Sequence, residues 1–83
     1  MKIRVTSVAA YRNFLEGVTV PFEVEANISY WPALVRSAAP GKADPRDVAY
    51  VDPNVILEQF PDAIIKVQRL ILVGQYDFEF IGE

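Results

Sequence analysis

Apolar and polar residues alternate without a break from Val18 to Tyr30. A period of two with one apolar face is typical of an antiparallel strand that buries one side. At about 3.3 Å per residue such a strand is longer than a small domain is wide, so we expect it to bend or to carry a bulge. Pro21 is the expected place, because proline has no N–H to donate to a neighbouring strand.

A looser alternation from Lys2 to Tyr11 predicts a first strand, which we expect to pair with the long strand as a hairpin. The connection between them ends in Gly17, which supplies an unusual backbone angle if the turn needs one. Phe14 and Leu15 are apolar at the tip of this hairpin. They either fold back onto the core or contact a partner.

The second half of the chain predicts a short helix between strands. Residues 48–51 form a short apolar run that is typical of a strand. Asp52-Pro53 then predicts a helix start, because an aspartate cap precedes a proline at the first helical position, and Pro61 ends that helix. Residues 63–81 are rich in β-branched side chains and predict either a hairpin that turns at Val73-Gly74 or one long strand with Gly74 as its bulge.

Together these elements predict a mainly β fold with a minor α component. We expect a small, curled antiparallel sheet of four to five strands with one short helix. A chain of 83 residues has room for a single domain, and its 52% hydrophobic content is enough for one core. The expected core consists of Ile3, Val5, Val20, Phe22, Val24, Ile28, Ile56, Phe60, Leu70, Leu72, Phe78 and Phe80.

The residue types that the sequence lacks exclude several kinds of chemistry. Without cysteine or histidine there is no disulfide, thiolate nucleophile, imidazole metal ligand or Ser-His-Asp triad. Asp44, Asp47 and Asp52 are close enough in sequence to gather a hard cation, but their spacing matches no calcium-loop pattern. We therefore expect no cofactor, no bound metal and no enzymatic activity.

Charge and hydropathy also limit the partners. The formal net charge is −3 and the eight basic residues are scattered, which argues against direct binding to nucleic acid. The longest aliphatic run, residues 70–73, is far too short to span a membrane. We also expect no signal peptide, because the stretch after Arg4 is too short and too polar for a signal-peptide core. We expect a soluble, cytoplasmic protein whose partner is another protein or a second copy of itself.

Candidate contact residues lie on and beside the loop over residues 36–47, which contains two prolines and a glycine and is longer than most connections. Trp31 stands at the end of the long strand, and we interpret it either as a partner contact or as a cap on the end of the core. The basic residues Arg36, Lys42 and Arg46 are either solvated or in contact with a partner.

Four carboxylates form a second candidate surface. Glu23 and Glu25 project from the polar face of the long strand, and Asp77 and Glu79 project from that of the last strand. If these two strands are neighbours, the carboxylates form an acidic patch that attracts a basic partner, including a surface that binds nucleic acid. Otherwise the face is solvated, and its charges are neutralised by basic residues on other strands. The candidates for that role are Lys2, Arg4, Lys66 and Arg69.

Three pieces of the sequence define its layout: Tyr30-Trp31-Pro32 at the end of the long strand, the Pro40-Gly41 loop with Asp44-Pro45, and residues 66–81 turning at Gly74. This layout, over the greater part of the chain, resembles that of small uncharacterised phage and prophage accessory proteins. Those proteins commonly have a different loop composition, often with a cysteine that this chain lacks. The resemblance implies binding to a host factor or defence system, or a minor part of a virion. It transfers no catalytic residue.

We therefore expect a non-catalytic protein-interaction module, of the kind that binds and occludes a surface of a larger host or defence protein as an inhibitor. The alternative is a small structural or assembly subunit, such as a minor virion component or a homo-oligomer, that pairs through its edge strands. The candidate contact residues are Trp31, Arg36, Lys42, Arg46, Glu23 and Glu25.

Overall fold

Short antiparallel strands dominate the computed structural model, which describes residues 1–39 and 41–81. The strands are β1 (Lys2–Val5), β2 (Leu15–Glu16), β3 (Phe22–Glu25), β4 (Asn27–Tyr30), β5 (Asp47–Val51), β6 (Ile64–Ile65), β7 (Leu70–Val73) and β8 (Phe78–Phe80). A 3-10 helix spans Ala9–Tyr11, and one α-helix, α1, spans Pro53–Gln59. The predicted class, mainly β and antiparallel with one short helix, is confirmed.

The described strands form three sheets, with the orders β3-β1-β8, β2-β6 and β4-β5-β7. They are shorter and more numerous than the four to five strands expected of a single sheet. The two three-stranded sheets are nevertheless linked, because β3 runs on into β4 and β7 leads into β8. The chain therefore joins the two sheets at two places, and residues of both contribute to one core.

The long alternating strand exists from Phe22 to Tyr30, and it is shared between two sheets. Up to Ala26 its even-numbered residues bond to β1; the Ala26 N–H donates to the carbonyl of Met1 at 2.9 Å. Beyond Ala26 its odd-numbered residues bond to β5; the Trp31 N–H donates to the carbonyl of Arg46 at 2.9 Å. Because successive residues of a strand point their backbone groups to opposite sides, one continuous segment pairs with both neighbours.

The start of the predicted strand is wrong. Residues 18–21 lie outside the strand, and Val20, which was expected in the core, is 40% exposed. The ladder with β1 ends at Phe22, which lies opposite Val5.

The predicted pairing of the first strand with the long strand is confirmed, but its connection is not a tight hairpin. The first strand ends at Val5, and the 3-10 helix and β2 occupy the connection. Leu15 pairs with Ile65 and is buried, so this apolar residue folds back onto the core. Phe14 beside it is exposed.

Neither prediction for residues 63–81 is correct. β7 and β8 are not paired as a hairpin, because β7 pairs with β5 and β8 pairs with β1. A turn separates them, in which the Asp77 N–H donates to the Val73 carbonyl at 2.9 Å and the Asp77 carboxylate accepts from the Val73 N–H at 2.9 Å. This turn, with Gln75 at a φ of 74°, moves the chain from one sheet to the other.

Helix α1 forms as predicted. The Asp52 carboxylate accepts a hydrogen bond from the Asn54 N–H at 2.9 Å, and Pro53 occupies the first turn. The helix ends before Pro61, and Ile56 is its buried residue. At the end of the helix, Phe60 packs edge to face on Phe22, with 5.5 Å between the ring centroids.

The predicted core is largely confirmed. Ile28, Phe60 and Phe80 are partly buried and pack against its edge. The core also contains small residues that the sequence did not single out, including Ala43 and Ala49. The predicted residues that are buried are Ile3, Val5, Phe22, Val24, Ile56, Leu70, Leu72 and Phe78. Among the described residues, no helix is long and apolar enough to cross a membrane.

The hydroxyl of Tyr11 binds the outer edge of β7. It accepts a hydrogen bond from the Ile71 N–H at 2.8 Å and lies 3.2 Å from the Ile71 carbonyl oxygen, to which it donates. With the Asp77 turn at Val73, this contact satisfies the backbone groups of β7 that point away from β5. A side chain thus takes the place of a neighbouring strand.

We expect Tyr11→Phe to lower the free energy of unfolding by about 1 kcal/mol, because it removes the hydroxyl that binds both backbone groups of Ile71. Urea unfolding followed by circular dichroism measures the change. The matched control is Tyr76→Phe, at an exposed tyrosine. Equal midpoints for the two variants would show that the Tyr11 hydroxyl does not stabilise this edge.

Candidate functional site

Ten consecutive residues, 26–35, carry no charge, and the second half of this run is exposed. Its large side chains at the surface define the 30–35 surface, namely Tyr30, Trp31, Leu34 and Val35. Trp31 is 56% and Val35 89% exposed. A turn in which the Leu34 N–H donates to the Trp31 carbonyl at 3.1 Å keeps the four residues on one short stretch of backbone. Exposed apolar clusters of this kind are typical of binding surfaces.

Trp31 extends the ladder beyond β4 through its backbone, but its indole remains more than half exposed. Of the two interpretations from the sequence, a cap on the core is wrong, because Trp31 is not among the core residues or those packed against them. Its role in contacting a partner stays a prediction.

A buried carboxylate organises the loop that follows. Asp44 is 1% exposed, and one of its oxygens, Oδ2, accepts hydrogen bonds from the Ser37 N–H at 2.6 Å, the Ala38 N–H at 2.6 Å and the Ser37 hydroxyl at 3.2 Å. The other oxygen accepts from the Arg46 N–H at 3.0 Å. These bonds fasten both ends of the loop to a single side chain.

The same bonds lower the pKa of Asp44 to about 2. The bond from the Arg46 N–H is the largest cause, and the donors at Ala38 and Ser37 add to it, whereas burial alone acts in the opposite direction. The carboxylate is therefore charged at neutral pH, and its charge is compensated by backbone donors.

Arg36 reinforces this arrangement instead of pointing to solvent. Its guanidinium donates to the Asp47 carboxylate at 3.2 Å and to the Lys42 carbonyl at 2.6 Å. The Asp47 carboxylate also accepts from the Asp44 N–H at 2.9 Å. Arg36→Ala is therefore expected to loosen the loop itself, so it cannot separate contact from folding. Lys42 contributes its carbonyl here, and the residue is exposed.

Arg46 connects the loop to the 30–35 surface. Its guanidinium lies over the ring of Tyr30, 4.8 Å from the centroid, and donates to the Leu34 carbonyl at 3.4 Å. Its backbone carbonyl binds Trp31. Two of its groups thus contact three residues of the surface, so its main observed role is to position them.

The predicted acidic patch does not form. β1 lies between β3 and β8, so the two strands that carry the carboxylates are not neighbours. Arg4 stands between Glu23 and Glu79, at 3.3 and 2.8 Å, and these two hydrogen bonds raise its pKa. The N-terminal ammonium lies 3.0 Å from Glu25. The alternative of a solvated face neutralised across strands is confirmed for Arg4. The partner contacts predicted for Glu23 and Glu25 stay predictions.

The three aspartates considered as cation ligands each accept hydrogen bonds from backbone N–H groups. Asp44 and Asp47 accept N–H groups of the loop, and Asp52 caps α1. In the described ranges no group of three or more carboxylates is placed to hold a metal ion.

The sequence reasoning missed two features of this site. One is Asp44 as the centre of the loop, for which an aspartate flanked by small and turn-forming residues was the available signal. The other is the set formed by Tyr30, Leu34 and Val35, which the uncharged run after Glu25 indicates.

No family model, curated protein or solved structure matches the chain.

We expect Asp44→Asn to destabilise the protein at neutral pH and to remove part of the acid dependence of its stability. Because the pKa of Asp44 is lowered on folding, the charged carboxylate contributes stability above the unfolded value of about 4. That contribution is lost as the pH falls toward 2. Thermal melts from pH 7 to pH 2 measure it.

The matched control is Asp62→Asn, at an exposed aspartate just beyond α1. The wild type and this control should lose stability between pH 4 and pH 2 more steeply than Asp44→Asn does. Parallel curves for all three proteins would contradict the role given to Asp44.

Proposed function

We propose that this chain is a non-catalytic module that binds another protein chain through the 30–35 surface. The observation that carries the proposal is the exposure of four large apolar side chains on a stretch of backbone that the protein itself holds in place. The free energy falls when a partner covers apolar groups that were exposed to water.

The fixed backbone makes this surface suited to binding. Ordering a loop on association costs free energy, and that cost falls when the loop is already held. Asp44 fastens the loop, and the Arg46 guanidinium packs on the ring of Tyr30. Tryptophan and tyrosine, the residue types that dominate many interfaces, stand next to each other at the end of β4.

Charge plays a secondary part in this proposal. Arg46 lies against Tyr30 and Leu34 and would form part of a rim that orients an acidic partner. Lys42, exposed on the loop that follows, is a further candidate for that role. Glu23 and Glu25 form ion pairs with Arg4 and the N-terminal ammonium, so the negative electrostatic potential of their face is small. We therefore expect the bound complex to persist at high salt, because apolar burial supplies most of its affinity.

The resemblance to phage and prophage accessory proteins suggests the kind of partner. In this proposal the chain occludes a surface of a larger host or defence protein, within the cytoplasm of the host. The second candidate, an assembly subunit that pairs through its edge strands, is favoured by the unpaired edge of β4, and it would place the chain in a virion or a homo-oligomer.

The test is capture of partners from the source cell by wild-type protein, by the double variant Trp31→Ala/Val35→Ser and by the control Tyr76→Ala. The control removes an exposed aromatic ring outside the 30–35 surface. We expect a stoichiometric partner that is retained by the wild type and the control at high salt. The double variant should bind that partner at least about tenfold more weakly.

Thermal melts of all three proteins accompany the capture. The double variant should melt close to the wild type, because both of its side chains are exposed. A partner that binds the double variant as tightly as the wild type would contradict the proposal, as would a loss of binding that follows from unfolding alone.

A further inference from the structure

The outer edge of β4 presents backbone groups that the protein does not use. On this strand the odd-numbered residues bond to β5, as the bond from Trp31 to Arg46 shows. The N–H and C=O groups of Ile28 and Tyr30 therefore point to the other side. Across residues 1–39 and 41–81, these groups have no hydrogen-bond partner.

Two other sheet edges, those of β7 and β3, are protected. At the far side of the same sheet, Tyr11 and Asp77 bind the outward groups of β7. At the outer edge of β3 stand two carboxylates, Glu23 and Glu25, and the Gln59 amide donates to the Glu23 carbonyl. Charges and side-chain covers are the usual ways in which proteins prevent edge pairing. β4 has neither, because residues 26–35 carry no charge.

The open edge has defined ends. On one side the backbone of Ala26 is already paired with Met1, at 2.9 and 3.1 Å. On the other side Pro32 has no N–H to offer. The chain also turns there, through the bond from the Leu34 N–H to the Trp31 carbonyl. The open stretch therefore consists of Ile28 and Tyr30, and it is centred on Ser29.

We propose that two copies of this chain pair β4 against β4, antiparallel, about a two-fold axis that passes beside Ser29. This inference rests on the proposed function as a protein-binding module, and it names the partner of one edge as a second copy. In this register Ile28 lies opposite Tyr30 of the other copy, and the two residues exchange N–H···O=C bonds. The symmetry gives about four such bonds.

The sequence of β4 suits its own copy. A two-fold interface places a residue on the axis next to itself, so a charge there would face an equal charge. Ser29 is small and neutral. Asn27 lies opposite Trp31 of the second copy in this register, and Ile28 opposite Tyr30, which puts an aromatic side chain in every flanking pair. The exposed Leu34 and Val35 then lie near the ends of the paired strands and add apolar area to them.

The axis position gives a sharp test. We expect wild-type protein to show a concentration-dependent doubling of mass in sedimentation equilibrium. Ser29→Lys alone and Ser29→Glu alone should each stay monomeric at concentrations where the wild type is dimeric, because directly opposed side chains lie about 5 Å apart. An equal mixture of the two variants should restore the dimer, since opposite charges then meet on the axis.

The matched control is Ile71→Lys, which places the same charge on the edge of the sheet that Tyr11 already covers. It should dimerise as the wild type does. Amide exchange of wild-type protein gives a measurement that requires no variant. The Ile28 and Tyr30 amides should become protected as concentration rises, whereas the Ile71 amide should be protected throughout.

Three results would overturn the proposal: a wild-type monomer at about 1 mM, a mixture of the two Ser29 variants that stays monomeric, or a dimer that leaves the Ile28 and Tyr30 amides exchanging freely. A monomer that still captures a partner through Trp31 would overturn only the self-pairing and leave the proposed function intact. If Ser29→Lys abolished capture by such a monomer, the edge would be assigned to a strand of another protein instead.

Discussion

The backbone between Phe22 and Tyr30 is the constraint on which the rest of the structure depends. Its even-numbered groups pair with β1 and its odd-numbered groups with β5, and the exchange takes place at Ala26. One segment therefore joins both three-stranded sheets. The core residues on its inner face, Phe22 and Val24, are buried by elements from both halves of the chain, so neither sheet is complete without this segment.

The loop after β4 shows how a small domain can keep apolar side chains at its surface. The N–H groups of this loop bind the Asp44 carboxylate, as they would bind carbonyl groups in a helix or a sheet. Gly74 allows the turn between β7 and β8 to approach the backbone of Asp44 closely. A Cβ atom at Gly74 would lie 3.1 Å from the Asp44 nitrogen and closer still to its carbonyl oxygen. The turn between β7 and β8 and the loop beside the 30–35 surface therefore pack as one unit.

Local signals in the sequence were sufficient for some elements and not for others. Asp52-Pro53 determines the start of α1 through contacts within one turn, and alternation places Phe22 and Val24 inward, so both features could be predicted. Which edge of a strand is paired depends on partners distant in the chain, and no local pattern encodes it. The sheet change at Ala26, the turn at Asp77 and the Tyr11 contact with Ile71 were missed for that reason. At the candidate site, the sequence left Trp31 open between an exposed contact and a cap on the core, and the interaction of Arg36 with Asp47 depended on the folded loop.

The position of β1 between β3 and β8 has a consequence for how the chain folds. The pairing of β4 with β5 closes a short loop and can form early, but the contact of Arg4 with Glu79 joins residues 75 positions apart. Closing so long a loop costs more chain entropy than closing a local one, and folds dominated by such contacts form slowly. The first strand of the chain therefore acquires its second neighbour only when the last one arrives. Until that step, the side of β1 that faces β8 in the folded protein is unpaired.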